Sequence, residues 1–135
     1  MATSEGKSFF ASGNISPAVF VKLVSTDNFA VAQCQSLADT PYGISQQGTF
    51  DPPGFVGATA YAANAPPPAE SILVFHEGDV CLLQAGTAGF NAGDRLGSDV
   101  NGLGVTVTSG AYGAIAFQTT AAGALGRVEV QIGKL

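Results

Sequence analysis

The chain has 135 residues, which is enough for one domain with its own hydrophobic core. Only 11% of the residues are charged, the formal charge is −5, and the five basic residues are scattered along the chain. No basic stripe is present to neutralise a phosphate backbone, which argues against nucleic-acid binding. No apolar run reaches the roughly 18 residues of a membrane-spanning helix, so we expect no membrane partner.

The composition also favours strands over helices. The chain has 18 glycines and no tryptophan, and it is poor in the lysine and glutamate that cover exposed helices. A surface so poor in charge is typical of a protein that neighbouring molecules partly cover. The N-terminus lacks the basic start and apolar segment of a secretory signal, so we expect the protein to be made and assembled in the cytosol.

A period of two dominates the hydrophobic pattern and predicts strands. In chain order, strand-like segments lie at 19–24, 29–34, 72–75, 80–84, 105–108, 114–118 and 127–132. Each is short and bounded by Gly, Asn, Asp or Pro, as in β-sandwiches and barrels. The pattern predicts an all-β fold: a small sandwich or barrel-like domain of short antiparallel strands.

The chain divides into an N-terminal arm at 1–10 and a single β domain at 11–135, with a Pro-rich loop or insertion at 46–70. Prolines cannot donate to a central β-ladder, so we expect this insertion to run along an edge or outside the sheet.

A weak internal repeat links the two halves of the chain. Gly13-x-Ile15-x-Pro17 leads into a strand, as Gly89-Phe90-x-x-Gly93 does later. Tyr42-Gly43 in the first half corresponds to Tyr112-Gly113 in the second, where Tyr-Gly marks a close backbone approach. The repeat predicts two similar β units fused in one domain.

Chemistry-bearing motifs are weak. His76-Glu77-Gly78-Asp79 could hold a metal or serve acid–base catalysis, but Gly and Asp also supply a turn between two strands. Residues 97–104 faintly resemble a calcium-binding repeat, although Asn101-Gly102 favours a type I′ hairpin. Cys34 and Cys81 lack metal-site spacing, and we expect two free buried thiols. We therefore predict no catalytic residue, metal or cofactor, and no enzymatic activity.

Aromatic residues on the arm and in the Pro-rich segment are the candidates for partner binding, because exposed aromatics anchor interfaces. The alternative is that they fold back over the sheet as part of the core. The candidates are Phe9, Phe10, Phe50, Phe55 and Tyr61.

The order of several turn motifs resembles that of the head-decoration, or capsid cement, proteins of tailed phages, some of which have a β-tulip fold. The motifs are Gly13-Asn14-Ile15-Ser16-Pro17, Asp39-Thr40-Pro41-Tyr42-Gly43-Ile44, Asn91-Ala92-Gly93-Asp94-Arg95-Leu96 and the turn at 99–102. The resemblance spans roughly residues 11–132, and each motif alone is only turn chemistry.

This resemblance implies a virion protein that binds the major capsid protein on the capsid exterior as a homotrimer, stabilises the shell by bridging capsid subunits, and is assembled in the host cytoplasm. A carbohydrate-binding or adhesin-like β module is the alternative function. If the arm adds an edge strand to a capsid subunit, deleting residues 2–10 should weaken capsid binding and leave the fold intact.

Overall fold

The computed structural model describes residues 7–12, 15–25, 29–46 and 71–135. Within these ranges the chain forms ten strands and no helix, and thus no helix able to cross a membrane. The strands are β1 (Lys7–Ala11), β2 (Phe20–Leu23), β3 (Ala30–Gln33), β4 (Gly43–Ser45), β5 (Ser71–Phe75), β6 (Val80–Gln84), β7 (Arg95–Ser98), β8 (Gly104–Thr106), β9 (Ala111–Ala116) and β10 (Leu125–Lys134).

The strands are arranged in two sheets. Strands β1 to β5 form a closed barrel in the order β1-β3-β2-β4-β5, and the other five form sheet B in the order β6-β10-β9-β7-β8. The predicted all-β barrel or sandwich class is confirmed. One pair departs from the antiparallel pattern: β1 and β3 run parallel.

Both halves have the same strand connectivity. In the barrel, the first strand pairs with the fifth antiparallel and with the third in parallel, and the second strand pairs with the third and fourth. In sheet B, β6 pairs antiparallel with β10, and a parallel bridge between Ala85 and Gly104 brings β8 to its end. Strand β7 again pairs with β8 and β9. The internal repeat predicted from the sequence is therefore a duplication of strand order.

Alternation along β2 divides its side chains between two cores. Val19 and Val21, on either side of the strand's first residue, are fully buried in the core of the barrel. Phe20 points the other way, into a core that the barrel shares with sheet B. Its register partner Ile44 on β4 enters the same core. The shared core also contains Leu83, Phe90, Leu96, Val128 and Val130.

Two glycines allow the close approaches that the Tyr-Gly repeat predicted. A Cβ at Gly113 would lie 2.6 Å from Pro41 Cβ and 2.8 Å from Phe20 Cε1. A Cβ at Gly43 would overlap the Phe75 carbonyl oxygen on the neighbouring strand. Gly43 and Gly113 therefore share a packing requirement: a side chain at either position would push the packed elements apart.

The side chain of Gln46 closes part of the outer edge of sheet B. Its amide nitrogen donates to the Leu82 carbonyl at 2.8 Å, and its amide oxygen accepts from the Leu82 N–H at 3.2 Å. The Gln84 N–H donates to the Ala18 carbonyl at 2.9 Å. These bonds satisfy backbone groups that an edge strand would otherwise offer to another chain. Residues 47–70, which follow Gln46 in the Pro-rich segment, lie outside the described residues.

The structure assigns part of the predicted arm to the barrel. Residues 7–10 belong to β1, which pairs with β3 and β5. The Phe9 ring meets the Tyr42 ring edge-on, with 5.4 Å between centroids. Residues 1–6 lie outside the described part of the chain. The prediction of an arm at residues 1–10 is therefore wrong for residues 7–10. These residues form a strand with two partners, so their backbone groups are hydrogen-bonded inside the sheet.

Deleting residues 2–10 should therefore open the barrel rather than spare it. We expect the truncated protein to lose cooperative unfolding in guanidinium chloride and its near-ultraviolet circular dichroism signal. A truncated protein that unfolds cooperatively at the wild-type midpoint would contradict the pairing of β1 with two neighbours.

Replacing Gly113 by Ala should destabilise the protein by about 2–3 kcal/mol, because the added methyl group overpacks the contact with Pro41 and Phe20. Gly123→Ala is the matched control: Gly123 has φ +76° and open space around it, so only backbone strain of about 1 kcal/mol is expected. Denaturant unfolding measures both variants. A loss at Gly113 no larger than at Gly123 would argue against close packing at this contact.

Candidate functional site

Three exposed apolar side chains occupy one end of the barrel, where β2 ends and β3 begins. They are Phe10, Leu23 and Phe29, with 43%, 54% and 73% of their surfaces exposed. We call them the barrel-end patch. The Phe10 N–H donates to the Phe29 carbonyl at 2.8 Å, and Leu23 is the register partner of Val31. The three residues are thus neighbours along the backbone, on β1, at the end of β2 and directly before β3. Leu23 lies on the barrel-interior side of the wall with Val21, whereas Phe10, next to the buried Ala11, lies on the outer side.

Phe29 has a backbone conformation that favours glycine. Its φ is +58°, in the left-handed region, where a bulky side chain costs roughly 1–2 kcal/mol. Its ring is mostly exposed, so burial within this chain offsets little of that cost. A residue that is strained and exposed is better explained by contact with a partner than by folding.

The sequence-predicted binding residues fall into three groups. Phe10 is exposed and belongs to the barrel-end patch. Phe9 is half-buried against Tyr42, as the core-lid alternative expects. Phe50, Phe55 and Tyr61 lie outside the described residues, so their predicted role stays a prediction.

Sequence reasoning missed two members of the patch. The hydrophobic alternation accounts for Leu23 as part of the predicted strand at 19–24, and Phe29 begins the predicted strand at 29–34. The available signal was the position of Phe29 directly after Asp27-Asn28, where the return of a hairpin commonly requires glycine or asparagine. An aromatic residue at such a position is not explained by turn formation and indicates a role in binding.

The segment from His76 to Asp79 is a turn that joins the two halves. The Asp79 carboxylate accepts the His76 backbone N–H at 3.0 Å, and Gly78 has φ +94°. The imidazole Nε2 lies 3.5 Å from the same carboxylate. The turn interpretation is confirmed. Among the described residues, no group of three or more His, Cys, Asp or Glu side chains is placed to hold a metal ion.

The β7–β8 connection is a hairpin, as predicted, but its turn is not type I′. The Asp99 carboxylate accepts the backbone N–H groups of Asn101 at 2.7 Å and Leu103 at 2.9 Å. Gly102 has φ +79°, whereas Asn101 does not have the positive φ that a type I′ turn requires at both central residues. The prediction of turn type was wrong because the Asp99 side chain supports a longer loop.

Both cysteines are free and buried in the shared core, as predicted. Burial, with a smaller effect from the Asp39 charge, raises the pKa of the Cys34 thiol to about 12. Burial and the charge of Asp79 raise the pKa of the Cys81 thiol to about 12 as well. Neither thiol is therefore available as a nucleophile near neutral pH.

Both thiols should be inert to Ellman's reagent at pH 8 in the native protein and react after unfolding in guanidinium chloride. Because folding raises both thiol pKa values, the native state should lose stability as pH rises from about 9 toward 12, where only the unfolded thiols ionise. The Cys34→Ser/Cys81→Ser double variant should show a smaller loss over that interval. Rapid labelling of the native protein would contradict the buried positions.

Two cavities in the described part of the chain are open clefts. One, of about 360 Å³, lies beside the Gln46 contact with β6, and the other, of about 570 Å³, lies between Leu37 and the β7–β8 hairpin. Among the described residues, neither cleft has an aromatic lining residue on which a sugar ring could stack. Phe50, Phe55 and Tyr61, the loop aromatics on which a sugar ring could stack, lie outside the described residues.

No protein-family model matches the chain, and no curated protein matches it. Among solved structures, the chain is similar to the head fiber gp8.5 N base of bacteriophage phi29, with a TM-score of 0.65 and 10% sequence identity. The match covers 96% of each chain. The two proteins share a fold. At this identity the likeness concerns the architecture, and it includes both halves of the chain.

Proposed function

We propose that this chain is a structural protein of a tailed-phage virion, without catalytic activity, that binds the capsid exterior after synthesis in the host cytoplasm. In this proposal it stabilises the assembled shell by bridging subunits of the major capsid protein. The observation that supports the proposal most strongly is the likeness of fold, over 96% of both chains, to the base of a phage head fiber. The turn motifs quoted above support it independently.

The barrel-end patch is the surface that we assign to the shell. Its three side chains carry no charge, and burying an exposed Phe or Leu in an interface contributes roughly 1.5–3 kcal/mol. The strain at Phe29 is tolerated because the barrel fixes the strands on either side of it. A modest contact at each of many copies is sufficient, since anything that binds only the assembled shell stabilises that state by mass action.

Phe29→Gly separates binding from folding. Glycine accepts φ +58° without strain, so we expect the free energy of unfolding to stay the same or rise by about 1 kcal/mol. Loss of the ring should weaken shell binding about tenfold or more. The measurement is co-sedimentation with expanded shells assembled from the major capsid protein encoded in the same genome, alongside denaturant unfolding.

Val100→Ala is the matched control. Val100 is 70% exposed, in the β7–β8 hairpin. The next residue, Asn101, accepts a hydrogen bond from Gln33 at the far end of β3 from the patch. We expect Val100→Ala to bind shells as the wild type does. Wild-type protein that ignores shells and binds a glycan array would overturn the proposed function in favour of the carbohydrate-binding module. Shell binding by Phe29→Gly at the wild-type level would show that the barrel-end patch is not the shell-binding surface.

A further inference from the structure

Sheet B has one face in the shared core and one face turned away from it. Along β10, Val128 and Val130 are fully buried, whereas Arg127 and Glu129 point to the opposite side. We call this opposite side the outer face. The same alternation places the following apolar side chains on it: Val80 and Leu82 from β6, Ile115 from β9, Phe117 directly after β9, and Leu125 from β10.

The outer face is unusually apolar for an exposed sheet. Phe117 is 50% exposed, Leu125 54% and Val80 36%. Leu82 and Ile115 lie between them, partly exposed. These apolar side chains flank Arg127 and Glu129 of β10 on both sides. Apolar, aromatic and arginine residues together are the composition of a protein interface rather than of a solvated sheet.

Both arginines of the chain lie on this face, although the net charge is −5. The Arg95 guanidinium lies over the Tyr112 ring, 5.4 Å from its centroid. Within the described residues, neither Arg95 nor Arg127 forms an ion pair. The Glu129 carboxylate accepts a hydrogen bond from the Gln131 amide at 3.0 Å. The face therefore offers a cation and an anion, two residues apart, that do not neutralise each other.

Register sorts these side chains into two rows. One row crosses the sheet through Val80, Glu129 and Ile115, which are register partners. The other passes through Leu82 and Arg127 to Phe117, whose N–H donates to the Arg127 carbonyl at 2.9 Å. Val128 lies between the rows, with its own side chain turned into the core.

These two rows are complementary to each other. Consider a rotation by 180° about an axis that lies in the plane of the interface, runs perpendicular to β10 and passes Val128. This rotation places each row of one molecule opposite the other row of its partner. Arg127 then faces Glu129 of the second copy, and Glu129 faces its Arg127. Phe117 faces Ile115, and Leu82 faces Val80, so apolar side chains meet apolar side chains.

We propose that the outer face of sheet B binds a second copy of this chain in a two-fold symmetric dimer. Packed sheets lie about 10 Å apart, a spacing that suits interdigitating side chains of this size. Two reciprocal Arg127–Glu129 pairs, surrounded by apolar contacts, set the register of the two sheets. Two-fold dimers are the commonest symmetric assembly, and their interfaces are self-complementary in this way.

This dimer does not depend on shell binding, because it uses a surface distinct from the barrel-end patch. It differs from the homotrimer that the family resemblance implies. A trimer would contact two different patches of the chain, and the reciprocity of the two rows would have no role in it.

Light scattering after size exclusion, with the full chain loaded at about 0.1 mM, tests the dimer. We expect twice the 13.5 kDa chain mass for the wild type. Arg127→Glu and Glu129→Arg each place like charges opposite one another, and each should weaken the dimer about tenfold or more. Lys134→Glu, an exposed reversal of the same kind at the end of β10, should leave the mass unchanged.

An equimolar mixture of Arg127→Glu and Glu129→Arg should recover the dimer, since each variant supplies the charge that the other now lacks. Circular dichroism of each single variant confirms that its fold is kept. A wild-type monomer or trimer, a dimer unaffected by both reversals, or a mixture that stays monomeric would each overturn the proposal. Shell binding by a monomeric wild type would leave the proposed function standing while removing the dimer.

Discussion

The packing of sheet B against the barrel wall is the contact on which the rest of the structure depends. The strands are short, and the buried side chains of β2 are divided between the barrel interior and the core shared with sheet B. Phe20 and Ile44 supply the barrel's side of that shared core, and Gly113 lets sheet B come close enough to cover them. Because this packing consumes one face of sheet B, the other face and the free end of the barrel remain for partners.

Duplication explains how so short a chain builds both surfaces. Each half repeats one five-strand order, yet the halves have diverged in how fully they close. The first is a closed barrel, and the second is a sheet whose third strand meets its first at a single bridge. The closed half fixes its strand ends well enough to hold Phe29 in a strained conformation. The more open half presents a broad face on which two rows of side chains align.

The fold class and the repeat were predictable because they depend on local signals: alternation along strands, turn residues between them, and glycines where backbones approach. Strand β1 was not, because Lys7–Ala11 shows no clear alternation and its two partners, β3 and β5, lie distant in sequence. Of the candidate site, only Phe10 was found. Phe29 is recognised by its backbone conformation, and the complementarity of Arg127 and Glu129 depends on cross-strand register, which a single sequence does not reveal.

The proposed function places the barrel end against a phage shell. The most direct measurement is a cryo-electron microscopy map of expanded shells incubated with the full-length chain, at a resolution that shows aromatic side chains. We expect density for the chain on the shell exterior, with Phe10 and Phe29 against capsid subunits. A map in which the chain is bound but the barrel end points into solvent would contradict it.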